Sequence, residues 1–567
     1  MQKNILNTTL STKEHVALQR KFNEAVALHQ NNLLEQAKVL YEEVLKLNPH
    51  HSDALHLLGL IFLSYKDFET SLELINQSIA LNSQYATAYA NRGVVLQELQ
   101  RYEEALESYN SAIALNPNHA DTYFKRGNVL RRVRRYEEAL ASYVQALRIN
   151  PNHADILFHC GNILHVLHKH EEALKLYQKA LSINPNHASV YSNLGNVFKA
   201  LERYDEALKS YNQAIALQPR HADAHSNRGY LLQELKQYDE VLKSYDQAII
   251  IDPNHSDAHW NKSLLWLLLG DFKQGFEEYE WRWTQESFTS LKRNFTQPLW
   301  LGVEDIKGKT ILIYEEQGLG DTLQFCRYIE HVSRRGAQVI FEVREPLYHF
   351  LQHLNGVDQC ILWGEPLPEF DYYCPLLSLP LAFKTTLTTI PNTPHLNVDA
   401  LKVMYWQETL KHITKPKIGL VWSGGTVHKN DHHRSITLEM LLRYLPQEYD
   451  YISLQKELRQ IDQPTLENST NVHFFGNELH DFTDTAGLCA CMDLVISVDT
   501  SVAHLAGSLN KETVILLPFA PDWRWLDNKE DTPWYPSAHL LRQTHINDWE
   551  SCLANLTPFL QRTKLYM

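Results

Sequence analysis

A chain of 567 residues with a formal charge of −14 is too long for one hydrophobic core, and its length suggests three or four domain-sized units. The acidic balance excludes a general nucleic-acid binder, which needs a basic face to displace counterions, but leaves room for a small basic pocket around one diphosphate. Hydrophobic residues make up 44% and charged residues 21%, close to globular averages, so disorder is not expected.

At the start of the chain no apolar run follows Lys3, so no secretory signal is expected. The most apolar stretch, Leu264–Leu269, is far too short to span a bilayer. The seven cysteines are scattered and odd in number, and no second pair joins Cys489 and Cys491 to complete a zinc site. They read as reduced, mostly buried thiols, which fits a cytoplasmic protein.

Residues 1–17 read as an N-terminal tail. The chain then repeats: Gly59, Gly93, Gly127, Gly161, Gly195 and Gly229 are each 34 residues apart. In the same register lie Ala105, Ala139, Ala173 and Ala207, then Tyr109, Tyr143, Tyr177 and Tyr211, then Pro117, Pro151, Pro185, Pro219 and Pro253. Small residues let two helices cross closely, and proline stops the second helix. The pattern resembles the tetratricopeptide repeat and implies an α-solenoid of eight helix pairs over 18–289, with atypical first and last units. The sixth position of each unit holds Asn91, Asn193, Asn227 and Asn261, with Lys125 and His159 between them. An amide there offers a donor and an acceptor to any peptide group, although asparagine is also simply frequent in this repeat. Histidines at the unit boundaries, such as His119 and His255, read as turn residues and not as metal ligands.

After Trp283 the period is lost, and residues 290–307 read as a connector. Short β-rich runs then alternate with helical stretches, which predicts parallel sheets covered by helices. Expected strands are Thr310–Tyr314, Gln338–Val343, Lys417–Trp422, Tyr451–Leu454, Val472–Phe475, Asp493–Val498 and Thr513–Leu517. The Thr385–Pro394 segment divides the region into two lobes, 308–395 and 396–567. In such sheets ligands sit beyond the C-terminal strand ends, and the motifs do follow strands.

Glu316-Gln317-Gly318-Leu319-Gly320-Asp321 follows the first strand, with a helix expected from Thr322. Gly318 and Gly320 allow a tight turn and close approach of a ligand; Asp321 suits a helix cap. Asp499-Thr500-Ser501 follows a buried strand and opens a helix whose free N–H groups and dipole favour a diphosphate, with His504 one turn in. Ser423-Gly424-Gly425 follows another strand and leads to His428, Lys429, His432, His433 and Arg434. That basic loop is either simply solvated or a neutraliser of phosphate charge as a bond breaks. Its histidine spacing does not suit a metal site. Lys456, at a strand end, is a further donor contact, and Arg524 is placed to meet a phosphate. The tryptophans around Arg524 read as packing.

The strand, Gly-Asp pair and helix, with the later Asp-Thr, small residue, His, Leu segment, resemble the heptosyltransferase-like glycosyltransferases of family 9. The resemblance implies a GT-B fold of two Rossmann-like lobes, the first binding acceptor and the second a nucleotide sugar. It implies Asp321 as the base that deprotonates the acceptor hydroxyl, and Arg434, or Lys429 at looser spacing, as the residue that neutralises the leaving diphosphate. No metal or resident cofactor is implied; the nucleotide-diphosphate sugar is a co-substrate. The domain order also resembles O-linked N-acetylglucosamine transferases, whose asparagine ladder holds an acceptor peptide, and bacterial repeat-bearing transferases that modify flagellin. Three functions stay open: inverting glycosyl transfer to a protein held by the repeats, the same chemistry on a lipopolysaccharide or other surface glycan with the repeats recruiting partners, and an inactive interaction scaffold. Pairing into a homo-oligomer is compatible with all three.

Overall fold

The computed structural model describes residues 12–563 except 286, 287, 289, 291, 394 and 426–430. It divides into two compact units, Met1–Asn227 and Arg228–Met567, so the boundary falls inside the seventh repeat.

The first unit is built from antiparallel helix pairs, beginning with Thr12–Gln30 and Leu34–Leu47. Helix thus starts within the stretch expected to be a tail. Most pairs close around a buried tyrosine, Tyr109, Tyr143, Tyr177 and Tyr211 having no exposed surface, while Ile75 takes that place in the second unit. The repeated glycine is the reason they fit. A Cβ at Gly127, Gly161 or Gly195 would lie 2.5, 2.4 or 2.5 Å from the facing tyrosine ring. The asparagine after the glycine then accepts the tyrosine hydroxyl, at 2.7 Å for Asn128, Asn162 and Asn196. Val94 stands at this position in the unit of Tyr109, whose buried hydroxyl has no partner. Between the helices of a pair the chain turns through a residue at positive φ, recurring at Asn32, Lys66, Gln100, Arg134, His168 and Glu202. At Lys66 this closes the helix end, with Asp67 N donating to Phe62 O and Lys66 N to Leu63 O at 3.0 Å each. Boundary histidines cap the next helix: His51 and His119 accept from backbone N–H three residues on.

The second unit starts with the last helices of the repeat region, Tyr238–Ile251, Ser256–Leu268 and Phe272–Tyr279, followed by a tight turn of helix at Glu280–Thr284. Strands β1 (Thr310–Tyr314), β2 (Gln338–Val343), β3 (Gln359–Leu362) and β4 (Tyr372–Pro375) form one wholly parallel sheet in the order β3-β2-β1-β4. Strands β5 (Lys417–Val421), β6 (Asp450–Ser453), β7 (Val472–Phe474), β8 (Leu494–Val498), β9 (Thr513–Leu517) and β10 (Ala538–Arg542) form a second parallel sheet, β10-β9-β8-β5-β6-β7. Counted within that sheet the order is 3-2-1-4-5-6, the arrangement of doubly wound nucleotide-binding sheets. The first sheet is 3-2-1-4 and reverses at the same point. Three strands, β3, β4 and β10, were not expected, and the expected ends of β5, β6, β7 and β8 shift by one residue. One hydrophobic core joins Phe272, Phe276 and Tyr279 to Phe325, Trp523 and Trp534. Among the described residues no helix is long and apolar enough to cross a membrane.

Candidate functional site

The order of each sheet reverses beside its central strand: between β1 and β4 in the first, between β5 and β8 in the second. Loops leaving adjacent strands in opposite directions open a crevice there. The three motifs follow β1, β5 and β8.

The loop after β1 is fixed by two ion pairs, one buried and one partly exposed. Glu316 is 3% exposed and accepts from Arg282 Nε at 3.0 Å and Nη2 at 2.8 Å. Arg282 has no exposed surface and also reaches Glu280 at 2.7 Å and Ser378 at 2.8 Å. Glu315 pairs with the Arg344 side chain and accepts the Arg344 N–H at 2.7 Å. Burial pushes both glutamates up, against the opposing pull of their arginines. Gln317 turns through φ 62° and donates to Tyr279 Oη at 2.8 Å. The helix begins at Leu319, three residues earlier than expected, with Gly318 as its cap residue. Asp321 is therefore the third helical residue and not the cap; its carboxylate reaches back to accept the Gly318 N–H at 2.7 Å.

The neighbour that makes Gly320 a glycine is protein, not the ligand that its spacing suggested. A Cβ on Gly320 would lie 2.7 Å from His504 Cδ2, because the helix Leu319–Phe325 crosses the helix Ser501–Ser508 at this point. His504 is 5% exposed, shares a hydrogen bond of 3.0 Å with the Tyr535 hydroxyl through Nδ1, and stacks on Trp525 at 5.1 Å. Burial, aided by Arg524, Arg327 and Arg434, holds it well below the usual imidazole range, so the ring is neutral near pH 7. Its Nε2 lies 4.0 Å from Asp499. Burial and the nearby Asp522 charge push the Asp499 carboxyl up to about 6, with Arg434 and Arg524 pulling the other way.

Thr500 precedes the helix, and its hydroxyl shares a hydrogen bond of 3.2 Å with Ser497 Oγ. Ala503 and His504 N–H return to the Thr500 carbonyl, which leaves the Ser501 and Val502 amides without an intrahelical acceptor. Arg434 crosses to this turn and donates to the Asp499 carbonyl at 3.0 Å. Gly424 lets it lie there, since a Cβ would sit 2.6 Å from Arg434 Nη2. Ser423 is tied down by Gln455, which accepts its N–H at 2.9 Å and donates to its hydroxyl at 3.1 Å. Among the described residues a Cβ on Gly425 would meet nothing within 4 Å. Lys429 and His428 lie outside the described residues.

Arg524 links a loop of the second sheet to one of the first. It pairs with Asp321 of the first lobe and with Asp522 at 2.8 Å, and lies 4.4 Å from the Trp523 ring centre. Asp321, Arg524, Asp499, His504, Arg434 and Gly424 thus form one connected cluster. Lys456 is outside it: its ammonium donates to His480 O at 2.8 Å on an exposed loop, because the chain after β6 bends away. Trp525 and Trp534 are buried, as a packing role requires. Asn91 donates from its amide nitrogen to His56 Nε2 at 2.9 Å, and Asn193 donates to Asn162 at 2.8 Å, so neither amide is wholly available to a peptide. Asn227 and Asn261 are half-buried. Asp522 and Arg282 were not expected at the site. A lone arginine inside the aromatic run Tyr279–Trp283 was the signal for the second. Among the described residues no three His, Cys, Asp or Glu side chains are grouped to hold a metal ion.

The C-terminal domain of cilia and flagella-associated protein 70 matches residues 2–229, and the tetratricopeptide repeat matches residues 222–255. Protein FlbA of Caulobacter vibrioides is 25% identical over 331 residues, 52% of this chain and 53% of that protein. The chain therefore spans about half the length of this curated relative. The crystal structure of YrrB, described as a TPR protein with an unusual peptide-binding site, is 29% identical, covers 34% of this chain and 98% of its own, and has a TM-score of 0.29. Pseudomonas aeruginosa pilF is 21% identical, with coverages of 39% and 100% and a TM-score of 0.35. The chain is a tetratricopeptide-repeat solenoid followed by a region of parallel sheets.

Proposed function

We propose that the chain is a GT-B-type glycosyltransferase that moves a sugar from a nucleotide-diphosphate donor to a hydroxyl of a protein acceptor recruited by the repeats. One observation carries this reading: beyond a central strand of one sheet, Asp321 pairs with Arg524 and the adjacent Gly320 packs on the start of the Ser501–Ser508 helix, whose preceding turn Arg434 reaches at the Asp499 carbonyl. The acceptor oxygen attacks the anomeric carbon from the face opposite the diphosphate, forming one C–O bond as the bond to the diphosphate oxygen breaks. The hydroxyl proton passes to Asp321, and the diphosphate leaves as an anion. Two guanidiniums and helix N–H groups supply positive charge where that anion develops, so the reaction is written without a metal. A neutral His504 can hydrogen-bond the donor without adding charge. Free thiols at all seven cysteines, five of them buried, support a reducing, cytoplasmic setting.

Purified protein with a panel of sugar nucleotides is the test, read as released nucleoside diphosphate and mass gain on host proteins. Turnover with one donor, lost in Asp321→Asn, is the expected result. Absence of both turnover and nucleotide binding across the panel would sink the reading in favour of an interaction scaffold.

A further inference from the structure

Both carboxylate oxygens of Asp321 are engaged. Oδ2 accepts the Gly318 N–H at 2.7 Å and Oδ1 accepts from Arg524. With both oxygens turned to protein donors, the carboxylate does not face an acceptor hydroxyl, so in this arrangement the proposed base is masked. Arg524 is 7% exposed and its Nε is buried without a hydrogen-bond partner. Among the described residues Arg434 Nε likewise has no hydrogen bond, with Asp431 3.9 Å away. Two guanidiniums with unused donors beside a helix start are suited to an anion with more than one oxygen.

The backbone next to Arg524 is also under strain. Leu526 is buried yet holds φ 55° and ψ 175°, a region that glycine alone occupies comfortably. The segment Asp522–Leu526 is held in this state by its contacts and not by its own preference. Asp522 lies on that segment and keeps Arg524 attached to it at 2.8 Å whether or not Asp321 does.

Resting on the glycosyl-transfer reading, we propose that the Asp321–Arg524 ion pair is a closed latch that the donor's diphosphate opens. The phosphate oxygens take the Arg524 guanidinium, and the Asp321 carboxylate is released to face the acceptor hydroxyl. A diphosphate offers more charge and more acceptor oxygens than one carboxylate, which gives the exchange its direction. The base is then unmasked only when a donor is seated, and donor binds before acceptor.

The test is calorimetric titration with UDP, GDP, ADP and CDP of the full chain and of Asp321→Asn, Arg524→Gln and the double variant, with folding checked by thermal unfolding. Asp321→Asn keeps an acceptor for the Gly318 N–H and releases Arg524. It is expected to bind the preferred diphosphate roughly tenfold more tightly than the parent, the scale of one hydrogen bond to a charged group. In the Arg524→Gln background the same change is expected to give no gain. A gain of equal size in both backgrounds would mean that removing a negative charge is the whole effect, and would overturn the latch while leaving glycosyl transfer standing. No gain in Asp321→Asn would do the same. If Arg524→Gln does not fold, Arg524→Lys takes its place: loss of the planar fork reduces the gain under the latch and leaves it whole under simple charge removal. Binding of none of the four nucleotides by any variant overturns the transferase reading and the latch together.

Discussion

Tyr143, Tyr177 and Tyr211 each sit behind a glycine and bond an asparagine in the same way, one repeat after another. Arg282 and Arg524, in the second unit, each make a set of contacts that occurs once. The first unit is stabilised by many copies of one apolar contact between residues close in sequence. The second depends on single polar contacts between residues far apart: Arg282 meets Ser378, and Asp321 meets Arg524. Repetition makes an error at one site local. A unique buried ion pair makes it costly.

The largest effect that sharpens this contrast is expected from Arg282→Met. It strands Glu316 and Glu280 beside an apolar side chain, and should destabilise the second unit by about 3–5 kcal/mol, read by denaturant unfolding. Adding Glu316→Gln should recover a part of the loss, since the cost lies in the unpaired charge. An equal loss in both proteins would show that Arg282 acts by packing alone. In the first unit, Gly161→Ala puts a Cβ against the Tyr177 ring and should cost about 1–3 kcal/mol by thermal unfolding. Gly127→Ala and Gly195→Ala should cost the same; a wide spread would break the claim that the units are equivalent. The smallest effect is a gain. Val94→Asn gives the Tyr109 hydroxyl the acceptor that its counterparts have, and should raise stability by about 1 kcal/mol.

The same contrast governs what can be read without coordinates. Repeated glycines, alanines and tyrosines reveal their partners because every unit presents them again. Strands buried along nearly their whole length, such as Gln338–Val343 and Thr513–Leu517, are dominated by β-branched and other apolar residues and were legible to the residue. The missed strands are short and partly polar: β3 is Gln-Cys-Ile-Leu at a sheet edge, β4 carries a proline, and β10 reads Ala-His-Leu-Leu-Arg, a pattern that also suits a helix. At the site, Asp321, Asp499, His504, Arg434 and Arg524 stood out because they follow strands or sit among aromatics. What could not be read was who pairs with whom. Nothing local tells that Arg524 holds Asp321 or that Gly320 is small because of His504, since each pair is separated by nearly two hundred residues and is set by how two sheets come together.

The Arg282 tie also says where the gene can be cut. Its guanidinium comes from the end of the repeat region, and Glu316, which it neutralises, precedes the Asp321 loop. A truncation beginning at the connector would leave a buried carboxylate with no counter-charge, so the sheets and the helices from 228 onward must be inherited together. Ahead of that point the 34-residue units repeat one packing scheme with local variations, and whole units can be duplicated or deleted in evolution without rewriting a single residue of the crevice.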